Sequence, residues 1–302
     1  MSFEVIIPFL KPIKHLLEAD TVSEIMVNPD SSVWIEENGL IQSLPGIRFD
    51  DGALQTGLEV IANRFGKKLD ADSPILNLRL PDGSRMAAMI PPIVNPQPLM
   101  TIRRFTARNF TLEDLIQAGM VTHEQASVLT SAVRDRKNIL IAGATSTGKT
   151  TVANVLADAI PEHERILVIE DTAELCIRKP HVVSAESQLD THRGNITFDD
   201  LLKAVLRHRP DRILVGEVRG TEARTLLDAM NTGHRGTLAT IHASSAKEAI
   251  HRVATLVMRG SNGQSIEAIK EDVRRGVDLI VYIRREQGKR LVHEILNLAT
   301  HS

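Results

Sequence analysis

One short segment of the sequence has the residue types and spacing of a phosphate-binding loop. Gly143, Gly148, Lys149 and Thr150 fit the pattern Gly-x4-Gly-Lys-Thr. Glycines let backbone N–H groups wrap a phosphate without a Cβ clash, the lysine can reach the β- and γ-phosphate oxygens, and the hydroxyl can hold Mg²⁺. The segment therefore predicts ATP and Mg²⁺ binding by the residues Gly143, Ala144, Thr145, Ser146, Thr147, Gly148, Lys149, Thr150 and Thr151.

The sequence around this loop supports the prediction. Residues 139–142 are an apolar run typical of a buried strand, and apolar residues between 152 and 159 recur at helical spacing. The loop would then precede the N-terminus of a helix, where partial positive charge favours an anion. The alternative is an ordinary glycine turn with a surface lysine, but a chance match is on the order of one per cent in such a chain.

Carboxylates follow two other apolar runs, at the points where strands would end. Residues 166–169 lead into Glu170 and Asp171, and residues 213–216 lead into Glu217. Because ligands of open α/β sheets bind outside the carboxyl ends of the strands, we expect these acids beside the loop. Phosphoryl transfer to water needs one carboxylate to orient the water and others to shape the metal shell.

Glu217 is predicted to be the Walker B acid of this site. Many P-loop enzymes carry Asp-Glu here, but a glycine replaces the aspartate in this sequence. The Mg²⁺ shell is predicted to consist of Thr150, Asp171 and Glu217. Glu170 is the alternative to Asp171 in that shell. The competing interpretation is that strand-end acids cap helices or pair with arginines, and it applies more strongly to Glu174.

Two histidines bracket the apolar residues 238–241. His234 precedes this predicted strand and His242 follows it. Polar residues at the tip of a buried strand could sense the γ-phosphate, although a lone histidine is more often structural. No cysteine or matching histidine set accompanies them, so the pattern does not favour a metal site.

Arginines near the end of the N-terminal region are further candidates. Arg85, Arg103 and Arg104 lie in strand-like segments. Arginine stabilises charge on a transferring phosphoryl group, often from a neighbouring subunit. From spacing alone, however, these three residues read as solvated strand positions.

The elements that must position these residues fall into two regions. Residues 3–105 read as a mixed α/β unit, with strands at 25–27, 33–36 and 99–103, a helix around 54–62, and a hairpin of 76–80 with 85–90. Thr111 and Thr122 each begin a helix with an acid or amide three residues later. Apolar strands then alternate with helices, which predicts a parallel sheet covered on both faces. We expect an N-terminal domain at 1–106, a linker at 107–112 and an ATPase domain at 113–302.

The composition limits the functions that remain. A formal net charge of −2 gives no global field for nucleic acid, and 3% aromatic residues give few base-stacking platforms, so no direct sequence-specific nucleic-acid binding is expected. The single cysteine, Cys176, fits a reducing cytosol. No apolar run reaches about 18 residues and the N-terminus lacks signal-peptide features, so any membrane association is expected to be peripheral.

Together, these segments resemble the secretion-ATPase superfamily that drives type II secretion, type IV pili and type IV secretion. The matching motifs are an N-terminal signature at 21–30, arginine-bearing strands at 80–86 and 101–105, an Asp box at 169–175, an atypical Walker B at 215–220 and a His box at 232–243. The sequence lacks the four-cysteine zinc element of the extension branch. Its residues 206–212 are similar to the conjugative branch.

The resemblance implies an N-terminal PAS-like α/β domain and a C-terminal RecA-like P-loop domain, assembled as a hexameric ring. Each nucleotide would lie between the two domains of one subunit. The implied phosphate-contacting arginines are Arg85 and Arg103, with Arg104 as the alternative to the latter. The implied catalytic residues also include Glu170, Glu217, His234 and His242.

The resemblance also implies a place for the ring. It would be cytoplasmic and peripheral to the inner membrane, docked on secretion-channel proteins and a second secretion ATPase. The ring would convert ATP hydrolysis into motion that drives type IV secretion or conjugative transfer. The alternatives are a pilus-retraction motor, a DNA-translocating ring, a P-loop kinase or transferase, and an assembly platform that does not hydrolyse ATP.

Overall fold

The computed structural model divides into two compact units, Met1–Arg108 and Asn109–Ser302. It describes residues 6–37, 39–50, 52–104, 110–171, 173–187, 196–260 and 263–298. Part of the predicted linker, residues 107–109, lies outside the described residues. Among the described helices, none combines the length and apolarity that crossing a bilayer requires.

The first unit is an antiparallel sheet with helices on one face. Its helices are a 3-10 helix Ile7–Ile13, α1 Lys14–Glu18 and α2 Ala53–Arg64, and its strands are β1 Val22–Val27, β2 Val33–Glu37, β3 Leu40–Ser43, β4 Ile75–Arg79, β5 Arg85–Met89 and β6 Leu99–Arg103. The strand order is β3-β2-β1-β6-β5-β4. The strands and the helix that the sequence predicted in this region are confirmed.

The two faces of this sheet differ in polarity because successive side chains of a strand point to opposite sides. One face is fully buried and includes Ile25, Met100 and Ile102. The other face carries a row of charged residues that are direct register partners across four strands, namely Arg79, Arg85, Arg103 and Glu24. Two of the predicted phosphate-contacting arginines therefore lie side by side.

The second unit is a mostly parallel sheet with helices on both faces. Its helices are α3 Leu112–Gln117, α4 His123–Arg134, α5 Lys149–Ala157, α6 Phe198–Val205, α7 Glu222–Asn231, α8 Ala246–Arg259 and α9 Ile266–Gly276. Its strands are β7 Ile139–Gly143, β8 Ile166–Glu170, β9 Val182–Glu186, β10 Arg212–Val218, β11 Leu238–Ile241, β12 Leu279–Glu286 and β13 Lys289–Asn297. The strand order is β13-β12-β7-β11-β10-β8-β9, and only β13 is antiparallel to its neighbour.

Local sequence accounts for the central elements of this unit. Strands β7, β8 and β11 are buried at every residue, as expected for strands covered on both faces. Thr111 and Thr122 form complete capping boxes at the starts of α3 and α4. The predicted parallel strands and helix starts are confirmed, while β9, β12 and β13 were not predicted.

Candidate active site

The carboxyl ends of four parallel strands bring most of the predicted residues of the second unit to one edge of the sheet. Strand β7 ends in the phosphate-binding loop and pairs with β11, which His242 follows. Strand β10 lies on the other side of β11 and carries Glu217. Strand β8 comes next and ends at Glu170. The order of the strands therefore makes neighbours of residues that are far apart in the sequence.

The two glycines of the loop are required by crowding and by backbone conformation. A Cβ on Gly143 would lie 2.5 Å from the Ile283 carbonyl oxygen. Gly148 has a φ of +96°, and a Cβ there would lie 2.9 Å from Met120 Cε. Helix α5 begins directly after Gly148, so its unpaired N–H groups face the loop.

The other loop residues divide into an exposed tip and a buried anchor. Ala144, Thr145 and Ser146 are exposed. Thr147 is buried, and its hydroxyl donates to the Ala144 carbonyl oxygen at 2.8 Å, which closes the loop on itself. Thr151 is half-buried in the first turn of α5.

Lys149 is buried beneath this loop. Its Nζ donates to the carbonyl oxygens of Gly143 and Ala144 at 3.1 and 3.0 Å. Burial lowers the pKa of the amine and Arg219 lowers it further, although the charges of Glu217 and Glu174 oppose the shift. The ammonium is thus satisfied by its own loop, and phosphate oxygens could replace those carbonyls as acceptors.

Glu217 lies between an arginine and a histidine. Its Oε2 accepts a hydrogen bond from Arg219 Nη2 at 2.6 Å. Its Oε1 is 2.8 Å from His242 Nε2, but the contact lacks the geometry of a hydrogen bond, so this buried oxygen has no donor. Burial raises the pKa of Glu217, but Arg219, His242 and Lys149 outweigh it and hold the pKa below its usual value. The group is therefore a carboxylate at neutral pH.

His242 links the lysine to this carboxylate. Its Nδ1 is 3.4 Å from Lys149 Nζ, while the other ring nitrogen, Nε2, is the one near Glu217. Burial lowers the pKa of His242, and Lys149 and Arg219 lower it further against the pull of Glu217. A neutral imidazole with its proton on Nε2 would present the lone pair of Nδ1 to the ammonium.

Glu170 is the most buried acid of this edge, at 2% exposure. Its Oε1 accepts from the N–H groups of Glu174 and Leu175 at 2.8 and 2.9 Å, while Oε2 has no hydrogen-bond partner. Burial raises its pKa to about 7, partly offset by those two N–H groups. A Cβ on Gly216 would lie 2.8 Å from Glu170 Cγ. Glu170 therefore fills the space beside the glycine that replaces the usual Walker B aspartate.

The remaining two acids of the Asp box have different contacts. Asp171 accepts from the Ser187 hydroxyl at 3.0 Å and lies 3.6 Å from Arg219 Nη1. Glu174 Oε2 accepts from the Thr150 hydroxyl at 3.3 Å. The acid in contact with the hydroxyl that is predicted to bind Mg²⁺ is therefore Glu174, for which the sequence favoured a structural role more strongly. Its only sequence signal was its position within the Glu-Asp-Thr-Ala-Glu segment.

His234 does not share this edge. It precedes β11 whereas His242 follows it, so the strand separates the two histidines and places His234 at the amino edge of the sheet. Its backbone N–H donates to the Ala229 carbonyl oxygen at 3.0 Å, at the end of α7. The two histidines therefore bracket β11 as the sequence indicated, but only His242 lies at the carboxyl edge, and a catalytic role for His234 stays a prediction.

In the first unit, Arg85 and Arg103 are direct register partners on the open face of the sheet. Arg103 Nε lies 3.9 Å from Glu24 Oε1 and its side chain is 54% exposed. Arg104 instead donates to the Ala19 carbonyl oxygen after α1. This contact favours Arg103 over Arg104 as the arginine that can reach a phosphate, and the roles of Arg85 and Arg103 remain predictions.

Two residues that the sequence did not single out as functional complete this edge. Arg219 contacts both Glu217 and Asp171. The Glu222 carboxylate accepts from the N–H groups of Arg219 and Gly220, both at 2.7 Å, and so fixes the turn that carries the arginine. The sequence signal was the position of Arg219 two residues after the Walker B glutamate, a spacing that fits a simple ion pair equally well.

A glycine-rich loop before a helix, at the carboxyl edge of a parallel sheet and beside acids of the neighbouring strands, defines a P-loop nucleotide-binding domain. The family described as "Type II/IV secretion system protein" matches residues 10–281. The chain therefore belongs to this family.

Individual relatives are found among conjugation and secretion proteins. The probable conjugal transfer protein TrbB of Sinorhizobium fredii (strain NBRC 101917 / NGR234) is 38% identical over 287 residues, which are 93% of this chain and 85% of the relative. The type IV secretion system protein VirB11 of Bartonella quintana (strain Toulouse) is 33% identical over 332 residues, covering 96% of this chain and 92% of the relative.

Solved structures share the fold. The VirB11 ATPase of the Brucella suis type IV secretion system, in complex with sulphate, has a TM-score of 0.55 and 26% identity, covering 98% of this chain and 95% of that chain. The pilus retraction motor PilT with bound ADP has a TM-score of 0.70 at 22% identity, covering 95% and 82%, a likeness that shows the fold alone. The predicted two-domain fold and the predicted membership of the secretion-ATPase superfamily are confirmed.

Proposed function

We propose that this chain is an ATPase motor that powers a type IV secretion or conjugative transfer system. The main support for this proposal is that His242 contacts both Lys149 and Glu217. One imidazole thus lies between the amine that would bind phosphate and an ionised carboxylate. This carboxylate could orient an attacking water, which hydrolysis needs and nucleotide binding alone does not. The conjugal-transfer and type IV secretion relatives support the process in which the hydrolysis is used.

The residues beside the loop fit a nucleotide carrying Mg²⁺. The Thr150 hydroxyl lies in the first turn of α5, and the buried Oε1 of Glu217 has no hydrogen-bond donor, so a hydrated cation could satisfy it. Within the described residues, no group of three or more His, Cys, Asp or Glu side chains could hold a metal by itself. Phosphate oxygens would therefore complete the shell, and the ion would neutralise their charge. Asp171 is the further proposed ligand.

The chain's own groups would then act in sequence. Lys149 would exchange its loop carbonyls for phosphate oxygens, and the N–H groups at the start of α5 would hold the β-phosphate. Glu217, which stays ionised at neutral pH, would orient the attacking water. Arg85 and Arg103 would stabilise the charge on the transferred phosphoryl group. Glu174 and Glu170 would shape the site from the Asp box.

The same proposal covers the assembly. Six copies would form a ring on the cytoplasmic face of the inner membrane, in contact with secretion-channel proteins and a second secretion ATPase. ATP binding and hydrolysis would change the conformation of each subunit, and the ring would pass that motion to the channel. The relatives named for conjugal transfer and type IV secretion support this setting.

The test separates binding from turnover at Glu217. We expect Glu217→Gln to bind ATP as tightly as the wild type but to lower kcat by about 10²- to 10⁴-fold, the range that a positioned general base contributes. Lys149→Ala should lose ATP binding as well, because it removes the main cationic contact with the phosphates. Binding is measured with a fluorescent ATP analogue and turnover by phosphate release.

The matched control is Glu267→Gln in α9, whose exposed carboxylate is 3.9 Å from Lys270 and outside the site. It should leave both measurements unchanged. Turnover by Glu217→Gln at the wild-type rate would remove Glu217 from its role. Loss of binding by Glu217→Gln would mean that the residue builds the site and has no separate part in the chemistry.

A further inference from the structure

The guanidinium of Arg219 lies between two carboxylates from neighbouring strands. Its Nη2 donates to Glu217 Oε2 at 2.6 Å, and its Nη1 is 3.6 Å from Asp171 Oδ2. Glu217 is the last residue but one of β10 and Asp171 follows β8, and the two strands are adjacent in the sheet. One positive charge therefore joins the two acids that the sequence assigned to the Mg²⁺ shell.

The backbone of Arg219 is fixed while its side chain reaches solvent. Glu222 is 6% exposed, and its Oε1 accepts from the N–H groups of Arg219 and Gly220. A Cβ on Gly220 would lie 2.8 Å from Glu222 Oε2, so the turn needs glycine there. The Arg219 side chain itself is 59% exposed. The guanidinium can therefore leave its carboxylates by rotation of the side chain, without a change in the turn.

The charges at this edge require a cation before any metal arrives. Lys149 directs its ammonium to the loop carbonyls, so it does not form a hydrogen bond with either acid that Arg219 joins. Two carboxylates held on adjacent strands repel each other, and a guanidinium between them removes that repulsion. A divalent cation bound by the same carboxylates would in turn repel the guanidinium at short range.

We propose that Arg219 is a placeholder cation: it occupies the carboxylates of Glu217 and Asp171 in the nucleotide-free subunit and is displaced when a nucleotide brings Mg²⁺. This inference rests on the proposed function, because it takes these carboxylates as the metal's ligands. It makes Arg219 a positioning residue that sets the Mg²⁺ concentration at which the site fills.

The experiment measures how Mg²⁺ strengthens ADP binding, which requires no turnover. A fluorescent ADP analogue is titrated at increasing Mg²⁺ and in EDTA, with wild type, Arg219→Gln and Arg219→Lys. Arg219→Gln removes the competing charge and should lower the half-saturating Mg²⁺ concentration by about three- to tenfold. This is the size expected for a solvent-screened repulsion between a single and a divalent positive charge. Arg219→Lys keeps the charge and should stay within about twofold of the wild type.

Affinity for ADP in EDTA separates this role from two others. If Arg219 is a placeholder, Arg219→Gln should bind ADP in EDTA within about twofold of the wild type, because Arg219 then touches no phosphate. A fall in EDTA affinity for Arg219→Gln would make Arg219 a phosphate ligand and overturn the inference. A raised or unchanged Mg²⁺ requirement would overturn it too, since a merely structural arginine would loosen the metal site when removed.

Matched controls keep the two proposals distinguishable. Arg224→Gln, in α7, removes an arginine that pairs with Asp228 at 3.0 Å and should change neither quantity. Thermal unfolding verifies that each variant is folded, and Arg219→Met gives the same charge change with a different side chain. If the wild type binds no ADP, or binds it without any help from Mg²⁺, the proposed function itself fails. If the wild type binds Mg²⁺–ADP but Arg219→Gln matches it, only the placeholder role fails.

Discussion

The burial of Glu170 gives its carboxyl group properties that the residue type alone does not predict. The sequence offered it as a strand-end acid with a catalytic role. It is fully buried, its pKa is raised to about 7 by that burial, and one of its oxygens has no partner. Near neutral pH it is therefore partly protonated, unlike Glu217, whose pKa is lowered.

This difference gives a pH-dependent stability. Below the ordinary pKa of 4.5, Glu170 is protonated in both the folded and the unfolded chain; between that value and about 7 only the unfolded chain loses the proton, which favours unfolding. From pH 5 to pH 8, the wild type should therefore lose up to about 3 kcal/mol in free energy of unfolding relative to Glu170→Gln. Urea unfolding of both proteins at the two pH values measures this.

A gap between the two proteins that stays constant with pH would contradict the buried, neutral Glu170. Glu267→Gln, at an exposed position of α9, is the control and should show no such trend. Phosphate release by the same Glu170→Gln protein also tests its predicted catalytic role. If turnover survives, Glu170 acts by filling space and not by chemistry.

Site residues were easier to predict from the sequence when the evidence for them lay in a few consecutive residues. The phosphate-binding loop was predicted from nine consecutive residues, because its geometry depends on backbone conformations that its own glycines provide. Glu217 followed from its place at the end of an apolar run. The motif around His234 does not say which end of a strand meets the ligand, so the role of His234 stays a prediction. The Arg219 bridge was missed because an ion pair between strands depends on strand order.

At the scale of elements, a glycine in β10 allows the last residue of β8 to pack closely against it. Gly216 in β10 has no side chain, and Glu170 at the end of β8 fills the space beside it. The two strands are parallel neighbours, so this contact fixes where the two acidic strand ends lie relative to each other. The usual Walker B aspartate at position 216 would therefore clash with Glu170 of the Asp box.

Adding a methyl group at this contact should be costly. Gly216→Ala places a Cβ 2.8 Å from Glu170 Cγ, and Glu170 is buried and cannot move into solvent. We expect a loss of about 1–3 kcal/mol in the free energy of unfolding, as for other overpacked cores. The control is the double variant Gly216→Ala with Glu170→Ala, in which the clash is absent. Additive effects of the two changes would show that the contact does not exist.

Three of the strands that the sequence did not predict lie at the edges of their sheets. Strand β3 is exposed at all four residues, and β9 and β13 lie at the two edges of the second sheet. These three strands have one buried residue between them, so no regular alternation of apolar and polar residues marks their sequences. The 3-10 helix at Ile7–Ile13 contains Pro12 and a kink at Leu10, which obscures its helical spacing.

At the scale of the whole molecule, the number of subunits is the prediction that matters most. A ring of six is the assembly proposed for this chain. We expect the purified chain to have the mass of six copies in the presence of nucleotide, measured by light scattering.

Lys149→Ala is the control, because it should fail to respond to nucleotide. A mass of one copy, with and without nucleotide, would contradict the ring.

The strand order, by contrast, has no signal in any single segment, because it depends on which apolar runs pair across long separations.

The position of β12 beside β7 has a consequence for how the protein is made. Ile139 of β7 pairs with Leu279 of β12, and the start of the phosphate-binding loop packs against the carbonyl of Ile283. At about 5–20 residues per second, the 140 positions from Ile139 to Leu279 take a ribosome roughly 7–28 s to translate. Throughout that interval one side of the loop strand has no partner. The nascent chain therefore acquires its nucleotide site late in synthesis, and cellular ATP cannot guide the earlier steps of its folding.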